Sequence, residues 1–117
     1  MFINLTNHPS ENWSDEQRIA AERYGDIVDM PFPIVEPFYT REDILTLVAE
    51  YTDRIVGMQG EDKVVHVMGE MTFTHNVVNA LKDVGITCIA STTERNTIIT
   101  LDSKKISEFK FVQFREY

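Results

Sequence analysis

The sequence predicts an α/β fold: a mostly parallel sheet flanked by helices, with a C-terminal antiparallel hairpin. Two observations predict it. First, up to residue 90, short apolar runs of strand length alternate with stretches whose apolar residues recur at helical spacing. Such alternation implies parallel strands joined by right-handed helical crossovers. Second, the last part of the chain carries two strand-like runs, residues 97–101 and 106–114, joined around Asp102-Ser103-Lys104. That turn is short enough for a hairpin. The 117 residues show no internal repeat, low-complexity tract or linker, so residues 1–117 are read as one domain with one core.

Residues 2–5 form an apolar run expected as a central strand buried on both faces. Asn7-His8-Pro9-Ser10 breaks it. Ser14-Asp15-Glu16-Gln17 has the form of a capping box, with Ser14 as cap and Gln17 reaching back. The helix runs to about Tyr24 and Gly25 ends it. Trp13, just before the cap, is placed to staple onto the first turns. Residues 26–30 read as a second strand. Pro31, Pro33 and Pro37 make the next segment extended and exclude helix there, with Phe32 and Phe38 as its apolar groups. Thr40 and Asp43 resemble another helix start, after which Ile44, Leu47, Val48, Tyr51 and Ile55 fall on one face. Residues 63–68 are a third strand. Residues 71–84 carry Phe73, Val77, Ala80, Leu81 and Val84 on one face of a third helix, closed by Gly85. Residues 86–90 are the fourth strand.

The formal net charge of −8 argues against a protein that coats DNA, RNA or anionic membrane, because such binding needs many cations. It leaves room for a small phosphate ligand. The acid lies mostly in the first half, whereas in the C-terminal part Arg95, Lys104, Lys105, Lys110 and Arg115 oppose Glu94, Asp102, Glu108 and Glu116. No apolar run approaches the roughly 18 residues of a membrane span. The N-terminus lacks the basic flank and apolar centre of a signal peptide, so a cytoplasmic location is expected. The single cysteine, Cys88, permits no internal disulfide and reads as a small core residue.

Strand ends of a parallel sheet share one edge, and ligands of open α/β sheets bind there. Two polar segments lie at predicted strand ends. Ser91-Thr92-Thr93-Glu94-Arg95 offers hydroxyls, backbone N–H groups and a guanidinium fork for phosphate oxygens. Asn7, His8 and Ser10 are the expected other half. The plain alternative for each is a polar turn. Gly69-Glu70-Met71-Thr72 opens a helix, whose N-terminal N–H groups favour anions. His8 either serves the ligand, by hydrogen bond or proton transfer, or is a turn histidine bonded to backbone. Glu70 and Glu94 are possible acid or base groups, or else helix-start and turn carboxylates. His66, inside a strand, reads as structural, and His75 as solvated. The histidine spacings make no recognisable metal site. Dinucleotide, P-loop and serine-elbow motifs are missing.

Taken together, Asn7-His8, Gln17, Gly69-Glu70-Met71-Thr72-Phe73, Ser91-Thr92-Thr93-Glu94-Arg95 and Phe114-Arg115-Glu116-Tyr117 resemble the small standalone CRISPR-associated ring nucleases, which are similar to the Rossmann-like CARF sensor domains. The resemblance implies a CARF-like domain acting as a homodimer without metal or other cofactor. It implies binding of a cyclic oligoadenylate, usually the tetramer, across the two-fold axis. Attack of a ribose 2′-hydroxyl on the adjacent phosphorus would leave a linear product with a 2′,3′-cyclic phosphate and end a type III CRISPR signal. Arg95, His8 and Glu70 would be catalytic. Asn7, Ser10, Gly69, Thr72, Ser91, Thr92, Thr93 and Glu94 would bind the ring. A dimeric sensor that holds a cyclic nucleotide without cutting it is the second expectation, and an unrelated small α/β interaction protein the third.

Overall fold

The computed structural model describes residues 1–117 as one five-stranded sheet with three α-helices. In chain order these are β1 (Phe2–Leu5), α1 (Asp15–Glu22), β2 (Ile27–Asp29), α2 (Arg41–Gly57), β3 (Val64–Val67), α3 (Met71–Asp83), β4 (Thr87–Ile99) and β5 (Lys105–Glu116). The strand order is β2-β1-β3-β4-β5. The first four strands are parallel and β5 returns antiparallel along β4. The class predicted from sequence is therefore the one observed: a mostly parallel α/β sheet with a terminal antiparallel pair.

Alternation along β1 sorts its side chains to two faces. Ile3 and Leu5, with Val65 and Val67 of β3, face the larger core, which α2 and α3 close with Ile44, Val48, Ile55, Phe73, Val77 and Leu81. Full burial of a side chain such as Phe73 contributes roughly 1.5–3 kcal/mol. The opposite face carries Phe2, Val64 and Ile89 against Ala21 of α1, with Trp13 and Phe114 at its margin. Only eight residues of helix cover that face, against 17 and 13 on the other. The thin cover leaves part of the sheet open beside α1.

Caps form where the sequence places them, but at α1 only half of the predicted box is made. Ser14 Oγ accepts the Gln17 N–H and the Gln17 side chain makes no return bond, whereas Thr40 and Asp43 exchange both bonds of a capping box. Gly25 adopts φ +124°, and a Cβ there would stand 2.8 Å from the Met1 nitrogen, so only glycine fits. Other expectations need correction. Trp13 packs edge-on against Phe2 and His66 of the sheet instead of stapling α1. Val84 is the C-cap of α3 and is exposed, and α3 buries Thr74 and Val78 in addition to the predicted stripe. Phe38 is exposed, whereas Phe32 is buried against Phe73. The largest difference lies in the last quarter of the chain. β4 does not stop at residue 90. It runs on through Ser91, Thr92, Thr93, Glu94 and Arg95 to Ile99, paired with β5 to the end. Pairing with β5, shifted in register once between Thr92 and Thr93, satisfies the backbone of a segment that, read alone, looked like a polar loop. The result is a two-stranded arm projecting past the carboxyl ends of β1 and β3.

Candidate functional site

The β1–α1 loop is built on Asn4. This residue is 1% exposed, and every hydrogen-bonding position of its amide serves the surrounding structure. Its Nδ2 donates to Asp29 Oδ1 (2.8 Å) and to the His8 carbonyl (2.9 Å). Its Oδ1 accepts from Thr6 Oγ1 (2.9 Å) and meets His66 Nδ1 at 3.0 Å. The His8 carbonyl also accepts from Trp13 Nε1 at 3.0 Å. Ser10 donates its Oγ–H and its N–H to the two oxygens of Asp29. Burial works to raise the Asp29 pKa, but the bonds from Asn4 and Ser10 and the charge of Arg18 hold it below the usual carboxylate value. The loop is thus pinned through its backbone, while the Asn7 and His8 side chains remain exposed.

Those side chains open onto a cleft of about 1170 Å³ between the start of α1 and the β4–β5 arm. Thr6, Asn7 and His8 from the end of β1, Met68 and Gly69 from the end of β3, and Ser91 and Thr93 of β4 line it. The cleft therefore lies at the carboxyl edge of the sheet beside the β1/β3 boundary, where the strand order reverses. Trp13 and Gln17 line it from the α1 side, Asn96, Phe109, Lys110 and Phe111 from the arm, and His66 from the sheet. Asp15, Glu16 and Glu108 add three carboxylates at its margin.

Five predicted residues thus come together: Asn7, His8, Gly69, Ser91 and Thr93. The others do not line the cleft. Ser10 is buried on Asp29. Thr92 lies on the other face of β4, its hydroxyl bonded to the Gln113 backbone. Glu94 is exposed opposite Lys110 in the ladder. Arg95 follows Thr93 on the same face two residues further along the arm. There it donates to Ser107 Oγ (3.2 Å) and lies over Phe109, 5.9 Å from the ring centre. Glu70 caps its own helix: its carboxylate accepts from the N–H groups of Thr72 (2.9 Å) and Phe73 (2.8 Å) and from the Thr72 hydroxyl. Burial works to raise the Glu70 pKa, but these bonds hold it below the ordinary value. The first N–H groups of α3, expected to be free for an anion, are occupied by Glu70, and Thr72 serves the same cap.

Gly69 is required by packing. A Cβ at that position would stand 2.3 Å from the Phe32 ring. Cys88 is a core residue, as expected, with its thiol pushed up to about 11 by burial. Tyr117 reaches back to donate its hydroxyl to the Val67 carbonyl, and its N–H bonds to the Cys88 carbonyl. No group of three or more His, Cys, Asp or Glu side chains is arranged to hold a metal ion. No helix is long and apolar enough to cross a membrane.

Sequence reasoning missed Asn4, His66 and Trp13 as parts of this site. A polar residue inside the apolar run of residues 2–5 was the available signal for Asn4. His66, a polar residue in the valine-rich run 64–67, carried the same signal, but its pairing with Asn4 depends on the β1–β3 register, and Trp13 joins them only by packing on Phe2 and His66.

The model of the Uncharacterized protein MJ1673 family matches residues 1–115, and the chain belongs to that family. No curated protein and no solved structure matches it.

Proposed function

We propose that this member of the MJ1673 family is a CARF-like ring nuclease that binds a cyclic oligoadenylate, the tetramer first among them, and opens it without a metal or other cofactor. One observation carries the reading: Asn7 and His8 from the loop after β1 and Ser91 and Thr93 from β4, distant in sequence, line a single cleft over the carboxyl edge of the sheet. That edge is where open α/β sheets take their ligands. In the reaction a ribose 2′-oxygen bonds to the adjacent phosphorus as the bond to the 5′-oxygen breaks. The 2′-hydroxyl proton is lost and the 5′-oxygen gains one, giving a linear strand with a 2′,3′-cyclic phosphate. Hydroxyl and amide donors of the cleft position the phosphate, and Arg95 swings from Ser107 to stabilise its developing charge. His8, exposed at the rim, is the group for proton transfer. Such cleavage ends a type III CRISPR signal.

Charge makes a homodimer part of the proposal. One cleft holds three carboxylates against a single lysine, a poor site for a polyanion. A second copy adds its own arm, whose Arg95, Lys105 and Lys110 outnumber Glu94 and Glu108, Lys104 being paired with Asp102. A non-cleaving cyclic-nucleotide sensor is the second reading. It is favoured by the engagement of Glu70 with its own helix and of Arg95 with Ser107. Product analysis separates the two. Excess protein incubated with cyclic tetra-adenylate gives linear fragments ending in 2′,3′-cyclic phosphate under the first reading, and bound but intact ring under the second. Arg95→Ala lowers the cleavage rate about 100- to 1000-fold. A rate within about tenfold of wild type removes Arg95 from the chemistry.

A further inference from the structure

We infer that His66 is the acceptor for an N–H donor on a planar heterocycle, the exocyclic amine of an adenine base lodged at the floor of the cleft. The identity of the base rests on the cyclic oligoadenylate reading, whereas the acceptor rests on geometry alone.

His66 lines the cleft yet is only 2% exposed. The Asn4 amide fixes its tautomer. Asn4 Nδ2 is committed to the Asp29 carboxylate and the His8 carbonyl, so Oδ1 is the atom that faces His66 and can only accept. Nδ1 therefore carries the proton and Nε2 the lone pair. Nε2 is buried and has no partner. Around the imidazole stand the rings of Phe2, Trp13 and Phe114, with centres 5.8, 5.7 and 5.2 Å away. None supplies a donor, since the Trp13 N–H is bonded to the His8 carbonyl. A buried acceptor without a donor is rare and costly, and it marks a place where a partner belongs. His66 lines the cleft, so the cleft is the side from which such a partner would come.

Its chemistry follows. Burial, and next the charge of nearby His8, lower the His66 pKa to about 4, so the imidazole is a neutral acceptor at physiological pH. It repels phosphate oxygens and takes N–H. The aromatic walls suit a flat ring and reject a hydrated sugar or phosphate. Trp13 lines the cleft and is partly buried, held by one side-chain hydrogen bond and by packing on Phe2 and Phe114, and the proposal requires it to give way for a base to reach Nε2.

The test titrates the full chain with cyclic tetra-adenylate and with the matching tetramer of purine riboside, which lacks the amine. Nitrogen NMR follows His66 Nε2, and fluorescence follows Trp13, the single tryptophan. We expect the adenylate ring to move the Nε2 resonance from that of a bare lone pair to that of a hydrogen-bonded one. The ring without the amine leaves it in place and binds about tenfold more weakly. This preference vanishes in His66→Phe and is kept in His66→Gln, whose carbonyl can accept. Equal affinity for the two rings with Nε2 unmoved overturns the inference and leaves the ring reading standing. If neither ring alters Trp13, the ring reading fails. His66 is then judged on AMP against purine riboside monophosphate: a preference that depends on His66 keeps the inference, and no preference ends it. Should His66→Phe fail to fold, the wild-type resonance decides.

Discussion

Asn4 ties together Asp29, Thr6, His66 and the His8 carbonyl, and through Asp29 also Ser10. Asp29 keeps its Ser10 donors and the His8 carbonyl its Trp13 donor without Asn4, so removing the amide strands chiefly the buried His66 Nδ1–H. Asn4→Leu is expected to cost about 1–3 kcal/mol in urea unfolding. Asn7→Leu, three residues on but exposed, stays within about 0.5 kcal/mol. Equal effects would mean that the Asn4 network does not hold the loop. His66 adds a pH dependence of known sign. Its folded pKa, about 4, lies below the ordinary 6.5, so the unfolded chain takes up the proton first. Stability is therefore full above about pH 6.5 and declines as pH falls toward 4, by at most about 1.4 kcal/mol per pH unit. His66→Phe should flatten that slope. Asp29 works in a lower window: its pKa lies below the ordinary 3.8, so its contribution persists to that pH and is lost only in stronger acid. A wild-type slope unchanged in His66→Phe contradicts the assignment.

At the level of elements, the strands and helices of residues 1–90 were legible because their signals are local. Hydroxyl caps, prolines, glycines and apolar spacing each act within a few residues. The hairpin of residues 97–101 and 106–114 was legible as well, but its extension back through Ser91 to Asn96 into β4 was not, because that pairing is decided across the hairpin and polar side chains on an exposed ribbon look like a loop. The same limit applies to the site. The strand ends pointed to Asn7, His8, Ser91 and Thr93, but the face of each strand could not be assigned to a cleft without knowing that α1 covers so little of the sheet. Thr92 and Ser10 fell on the wrong side for that reason. The arm also exposes Ile99, Leu101 and Phe109, the last 67% exposed. A two-stranded ribbon is marginal by itself in water, and such a row of apolar groups calls for a cover. If the cover is a second copy, Ile99→Ser with Phe109→Ser gives a folded monomer in sedimentation with unchanged helix content by circular dichroism. A double variant that sediments like the parent removes these side chains from the interface.

The whole molecule is drawn out by the arm. Its extents are 51 × 37 × 21 Å, and its radius of gyration is 16.1 Å, against about 13 Å for a compact domain of this length. Charge is uneven along the chain: the body carries most of the 19 carboxylates, whereas in the arm Arg95, Lys104, Lys105, Lys110 and Arg115 balance Glu94, Asp102, Glu108 and Glu116. In the proposed dimer, the arm of one copy would set Arg95 and Lys110 against the acidic body of the other. The central claim is that two chains share one anionic ring. Native mass spectrometry of the protein with cyclic tetra-adenylate, at a pH near neutral, tests it most directly. The account predicts one ring, or its linear product, bound to two chains. One ring on each single chain, or no ring on any, contradicts it.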